Sequence, residues 1–350
     1  MLKLKNTKII KSRDRKMMDL KEKIGIHLDQ IKQLKGVENA VLTQRDGNPI
    51  QSAGVWFSKD EIFNVSSATS AIFNVGIHLH PNDLKYILIE GKKAKILIAP
   101  LNSPIHYSLN RILQQQGIID NKHEFFIAIT AQPNTNLGGI FLQTNECLKK
   151  IKTTLITSGE SFKPPLVQFD DHRIQSIIDG FDVKENENVN FRVSSFSLNL
   201  SESISMELRK VLNNFSIAIP DLKFAYITIE GGFIASKILK KTENKEEDLD
   251  NISAMSYSLF QTANRCAWLL KKMNADSILL DCENKFQFIH GLGKAIFSTE
   301  IGKSRQKLGL IRLILPQFST RIRNLIKQAS EIQNQNVFDI KSMLGELVIK

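Results

Sequence analysis

Apolar residues recur at spacings of three and four through residues 18–34, where Leu20, Ile24, Leu28, Ile31 and Leu34 line one face of an amphipathic helix and Gly36 supplies its stop. Residues 37–43 then read as a short strand. Arg45-Asp46-Gly47-Asn48 forms a turn whose glycine suits positive φ, and residues 49–55 return as a second strand. Ser58 with Glu61 three positions on is a capping-box pattern, and Ile62, Val65, Ala68, Ile72, Val75 and Ile77 set a long helix bounded by Pro81. Residues 86–90 and 94–99 are strands about Gly91-Lys92-Lys93. A helical insertion over 101–122, a strand over 124–131, a turn over 133–138 and a last helix ending in 147–155 complete the first half.

The second half repeats this order. Residues 203–219 form its first helix, ended by Pro220-Asp221. Strands over 223–230 and 233–238 flank Gly231-Gly232, in the place of Asp46-Gly47. After a polar loop over 240–250, the helix over 253–273 puts Met255, Leu259, Thr262, Cys266 and Leu269 on one face. Strands follow at 277–282, 286–290 and 294–300, and Lys307-Leu308-Gly309-Leu310 matches Asn136-Leu137-Gly138-Gly139. Each half reads α-β-β-α-β-β-β-α. Proline is costly inside a helix, so the last helix is either kinked at Pro316 or begins there instead of at Leu308.

These patterns divide the chain into a basic tail (1–16), a first domain (17–155, with the insertion 101–122), a linker (156–199), a second domain (200–332) and an amphipathic tail (333–350). The linker holds Pro164-Pro165 and a short helix around Ile174. The tail offers Val337, Ile340, Met343, Leu344 and Leu347 for docking on either domain or on a partner. With 350 residues and 42% of them hydrophobic, the chain has material for two cores.

Three cysteines without a Cys-x-x-Cys pair argue against a disulfide framework or zinc knuckle and for a reducing, cytoplasmic setting. The charged N-terminus does not resemble a secretory signal, and no apolar run approaches the roughly 18 residues of a membrane span. The net charge of +11 is mostly lysine spread along the chain, which favours a solvated surface over a dedicated polyanion site. The local exception is the cluster from Lys3 to Lys23. It supports an alternative function, nucleic-acid or anionic-membrane binding, with retention that falls steeply in salt and is lost on deletion of residues 1–16.

Catalytic chemistry finds little to work with. His78 and His80 lie two apart, so on a helix they diverge, and they read as cations at a helix C-terminus rather than metal ligands. Gly291-Leu-Gly293-Lys294 lacks the spacing and the Ser/Thr of a phosphate loop and reads as a hairpin turn. Asp170-Asp171 lies in the linker, and Trp56 and Trp268 read as packing residues. The expectation is no enzyme, no cofactor and no metal. The central helices carry second faces, Phe63, Ser67, Ser70 and Asn74 in the first half and Ser256, Phe260, Ala263 and Ala267 in the second, whose small residues suit either close helix approach or ordinary core packing.

The Asp46-Gly47 hairpin before a long helix, and the segments 127–140 and 296–311 with their Leu-Gly steps, resemble the Roadblock family, which includes dynein light chains, archaeal and bacterial GTPase regulators and lysosomal scaffold subunits. The resemblance covers most of residues 17–154 and 200–330. It implies an α+β class of α/β fold: two domains, each a five-stranded antiparallel sheet with one helix on one face and two on the other. It also implies pairing through the long central helix and the third strand, which adds Lys85, Ile87, Ile278 and Leu280 to the candidate pairing or partner-binding residues. Pairing within the chain and pairing as a homodimer both fit. The function so implied is that of a non-enzymatic scaffold binding Ras-like GTPases or other Roadblock or longin-type subunits. A ligand-sensing, profilin-like module is a third reading.

Overall fold

The computed structural model describes residues 19–54, 58–118, 125–158, 200–240, 247–270, 274–303 and 307–348. The first half contains α1 (Leu20–Lys32), β1 (Val37–Gln44), β2 (Pro49–Ala53), α2 (Lys59–Leu79), β3 (Leu84–Gly91), β4 (Lys95–Pro100), α3 (Tyr107–Gln115), β5 (Phe125–Ala131) and α4 (Leu137–Ser158). The second contains α5 (Glu202–Ala218), β6 (Leu222–Ile229), β7 (Ile234–Leu239), α6 (Glu247–Leu269), β8 (Ala275–Cys282), β9 (Lys285–Gly291), β10 (Ala295–Gly302) and α7 (Leu308–Val348). Apart from α3, which is the helix of the insertion, the two halves share one element order.

Local chemistry explains the boundaries. Ser58 Oγ accepts from the Glu61 amide at 3.2 Å while the Glu61 carboxylate accepts from the Ser58 amide at 3.0 Å, so α2 starts in a complete capping box. Gly47 sits at φ 94°, where the β1–β2 turn lies so close to α2 that an added Cβ would meet the Ser67 Cα at 3.2 Å.

All ten strands join one antiparallel sheet in the order β2-β1-β5-β4-β3-β8-β9-β10-β6-β7. The second five strands repeat the order of the first five in reverse, so the halves are related by a two-fold pattern about the β3–β8 seam. There Ile87 pairs with Leu280 and Ile89 with Ile278. What would be an exposed edge on either half is thus covered by the other half of the same chain.

Alternation along the strands sends side chains into two cores. Tyr86, Leu88, Leu97, Ile127 and Phe297 join α1, α4, α5 and α7 on one face. Ile87, Ile89, Ile96, Ile278 and Leu280 join α2 and α6 on the other. Both cores run across the seam, which makes the ten strands a single packed layer between, among the described residues, five helices and two.

Several boundaries differ from the sequence pattern. The last helix starts at Leu308 and carries Pro316 inside it; the proline ring is exposed, so the amide it lacks is missing on the solvent side. That helix continues unbroken to Val348, so the backbone shows no break at 332/333. The strand expected over 49–55 ends at Ala53, and α6 begins at Glu247, inside the expected loop, because Leu249 and Ser253 are buried. Helix α4 runs to Ser158, into the expected linker. Pro164-Pro165, Asp170-Asp171, the helix around Ile174, the tail 1–16 and Trp56 lie outside the described residues.

Candidate docking face

Helices α2 and α6 lie side by side over the seam, packed through Val65, Ala68 and Ile72 on one and Leu259, Phe260, Ala263 and Cys266 on the other. The Cys266 thiol donates to the Ala68 carbonyl at 3.0 Å, and burial pushes that thiol up to about 12, so it stays protonated. Each helix also clamps the hairpin turn of its own half. Asn74 donates to the Arg45 carbonyl at 3.2 Å and accepts from the Arg45 guanidinium at 2.7 Å, and the Ser70 hydroxyl donates to the same carbonyl. In the second half the Ser253 hydroxyl donates to the Gly232 carbonyl at 3.1 Å.

A buried polar chain crosses between the halves beneath these helices. His80, at the end of α2, meets the side-chain amide oxygen Oε1 of Gln287 at 2.6 Å, an acceptor, so His80 Nε2 donates. The Gln287 amide donates to Ser256 Oγ at 2.9 Å, and Ser256 bonds the Tyr226 hydroxyl at 2.8 Å. The expectation of a cationic His80 at a helix end is therefore corrected: desolvation, reinforced by Lys285, lowers its pKa, and the ring is 5% exposed. On the five-helix side, Arg312 of α7 forms a two-pronged pair with Glu90 of β3, at 2.8 and 2.7 Å.

The candidate residues fall into three groups. Ile87, Ile278 and Leu280 lie in the seam itself, and Phe260 and Ala263 lie between α2 and α6. Ser70 and Asn74 hold the Arg45 turn, with Ser67 against Gly47, so these serve their own half, and Ser256 belongs to the polar chain that crosses between the halves. Phe63 and Ala267 are buried, and Lys85 is half-buried at a bulge of β3. The α2 positions that meet α6 are Val65, Ala68 and Ile72, which the helical period assigns to a core; the signal for their role is that each lies in an apolar stripe shared by both helices.

The outer surface of this face offers Glu61, Asn64 and His78 from α2 and a helical stripe on α6 of Ala254, Ser258, Gln261, Arg265 and Trp268. Trp268 is 69% exposed, which overturns its reading as a packing residue. Among the described residues no group of three or more His, Cys, Asp and Glu is placed to hold a metal ion, and no helix is long and apolar enough to cross a membrane. Gly291–Lys294 is the β9–β10 hairpin, with Gly293 at φ 92°.

The Roadblock/LC7 domain family model matches residues 23–106, from within α1 to the end of the β4–α3 loop. Residues 23–106 are thus similar to a Roadblock/LC7 domain. Solved structures of Roadblock proteins show low-level likeness. MglB in a tetrameric arrangement is 16% identical, covering 38% of this chain and 97% of that chain at a TM-score of 0.35. MglB of Myxococcus xanthus is 12% identical, covering 37% and 95% at 0.34, and a Roadblock/LC7 domain from Streptomyces avermitilis is 9% identical, covering 36% and 96% at 0.28. No curated protein matches the chain. The matched residues include α2, on the two-helix face, and β3, in the seam.

Proposed function

We propose that the chain is a non-enzymatic adaptor built from two Roadblock domains paired with each other, and that it binds a Ras-like GTPase, or another Roadblock or longin-type subunit, on the α2–α6 face. The observation that carries this reading is the Roadblock/LC7 match over residues 23–106, whose family includes GTPase regulators. The repeated element order and the mirrored strand order support a second Roadblock domain over residues 200–332. A solvent-facing tryptophan beside Arg265 supports the choice of face, because tryptophan and arginine dominate binding energy at protein interfaces. The buried cysteines, held protonated, the buried His80 and the half-buried His290, both with lowered pKa, are suited to packing and not to proton or nucleophile chemistry.

Titration of the purified chain with Ras-like GTPases loaded with GDP or a GTP analogue tests this. Binding is expected to quench or shift Trp268 fluorescence, and Trp268→Ala is expected to weaken it by about tenfold or more. Failure of every GTPase and every Roadblock or longin-type subunit to bind contradicts the proposal.

A further inference from the structure

The net charge of +11 is not spread evenly over the folded chain. Helices α1, α3, α4, α5 and the first part of α7, as far as Ala329, carry thirteen lysines and arginines against five aspartates and glutamates. Helices α2 and α6, on the opposite face of the sheet, carry two against three over residues 59–79 and 249–269. The exposed large apolar side chains divide the same way. Ile26, Tyr107, Ile112, Leu142, Met206, Ile217, Leu310 and Leu313 belong to helices of the five-helix side, Trp268 lies on α6, and Phe233 lies in the β6–β7 turn next to Gly232, which approaches α6.

The asymmetry is sharpest around the seam. Phe141 of α4 packs at a tilt against Tyr86 of β3 with ring centroids 5.0 Å apart, and Arg312 of α7 reaches Glu90 of the same strand, so α4 and α7 flank β3 on one face. Between Lys303 and Ala329 the chain contains no acidic residue. Leu313 is 72% exposed and Leu142 is 59% exposed, and the exposed cations Lys149, Lys150, Lys307, Arg321, Arg323 and Lys327 sit on these two helices or just before α7. Lys152 and Arg312 are not part of this surface, since one is buried and the other is paired.

We infer that the α4–α7 surface is a peripheral docking site for an anionic phospholipid bilayer. Cations at headgroup level draw the protein to negative lipid, and aliphatic side chains between them enter the boundary with the acyl chains. Nucleic acid fits less well. Sites of that kind stack bases on aromatic rings, whereas the apolar groups here are leucines and, among the residues whose burial is described, neither helix has a fully exposed aromatic. With the α2–α6 face turned away from lipid, a protein partner and a bilayer would be held at once.

Flotation of the full chain with vesicles of phosphatidylcholine, alone or with about a third phosphatidylserine, tests the inference. Flotation with the anionic vesicles only, lost on raising salt from about 0.1 to 0.5 M, is expected. Arg321→Glu with Lys149→Glu is expected to reduce it at least tenfold, Leu310→Ser with Leu313→Ser to reduce it severalfold, and Arg265→Glu on the opposite face to leave it unchanged; all sites are exposed, and unchanged thermal melts confirm folding. Three results overturn the inference: no flotation with anionic vesicles, binding to duplex DNA of equal strength that ignores the leucine changes, or flotation that vanishes on deleting residues 1–16 while both α4–α7 variants behave as wild type. None of these outcomes depends on whether a GTPase binds.

Discussion

Lys152 is fully buried on α4, and its ammonium donates only to the Ile105 carbonyl, at 2.8 Å. Among the described residues no carboxylate faces it in an ion pair, and burial lowers its pKa from 10.5 to about 7. Below about pH 7 both folded and unfolded chains hold this proton, and the burial cost is felt in full. Between about 7 and 10.5 the unfolded chain holds more of it, so stability climbs with pH through that window and levels off above it. Thermal melts across this range are expected to show the rise, and Lys152→Met is expected to flatten it and to stabilise the chain at pH 7 by about 1–3 kcal/mol. Gln287 presents the opposite case. It satisfies His80, Ser256 and Ser298 together, so Gln287→Leu leaves several buried polar groups unpaired and is expected to cost about 2–4 kcal/mol in denaturant unfolding.

At the scale of elements, the turns are set by single residues. Gly36 sits at φ 92° between α1 and β1, where an added Cβ would collide with the Thr135 hydroxyl. Gly36→Ala is therefore expected to destabilise by about 1–3 kcal/mol, measurable as a lowered Tm, with a larger effect than Gly309→Ala, which meets nothing within 4 Å. Element order was legible in the sequence because turn residues and periodicity coincide: Asp46-Gly47, Gly231-Gly232 and the Ser58–Glu61 box all stand where the pattern places them. The interior of the last helix was not legible, because a proline pattern does not reveal which side of a helix faces water. Trp268 was misread for a related reason, since its place in the helical stripe beside buried Cys266 and Ala267 does not fix how far its ring turns outward. The polar chain through His80 and Gln287 was invisible, since its two ends are 207 residues apart.

For the whole molecule, the mirrored strand order means that each half supplies the surface its partner needs, at the high effective concentration of a single chain. The Arg312–Glu90 pair, the His80–Gln287 contact and the β3–β8 ladder all bridge the halves. Unfolding is therefore expected to be one cooperative transition by circular dichroism and by tryptophan fluorescence alike, and two separated transitions would show that the halves are independent. The in-chain seam is tested most directly by placing cysteines at the register pair Glu90 and Ser277, oxidising the purified double variant, and reading the mass of the product on a non-reducing gel. The account predicts a crosslink inside a single 39.6 kDa chain. A crosslinked species of twice that mass, with the single chain left unlinked, would contradict it.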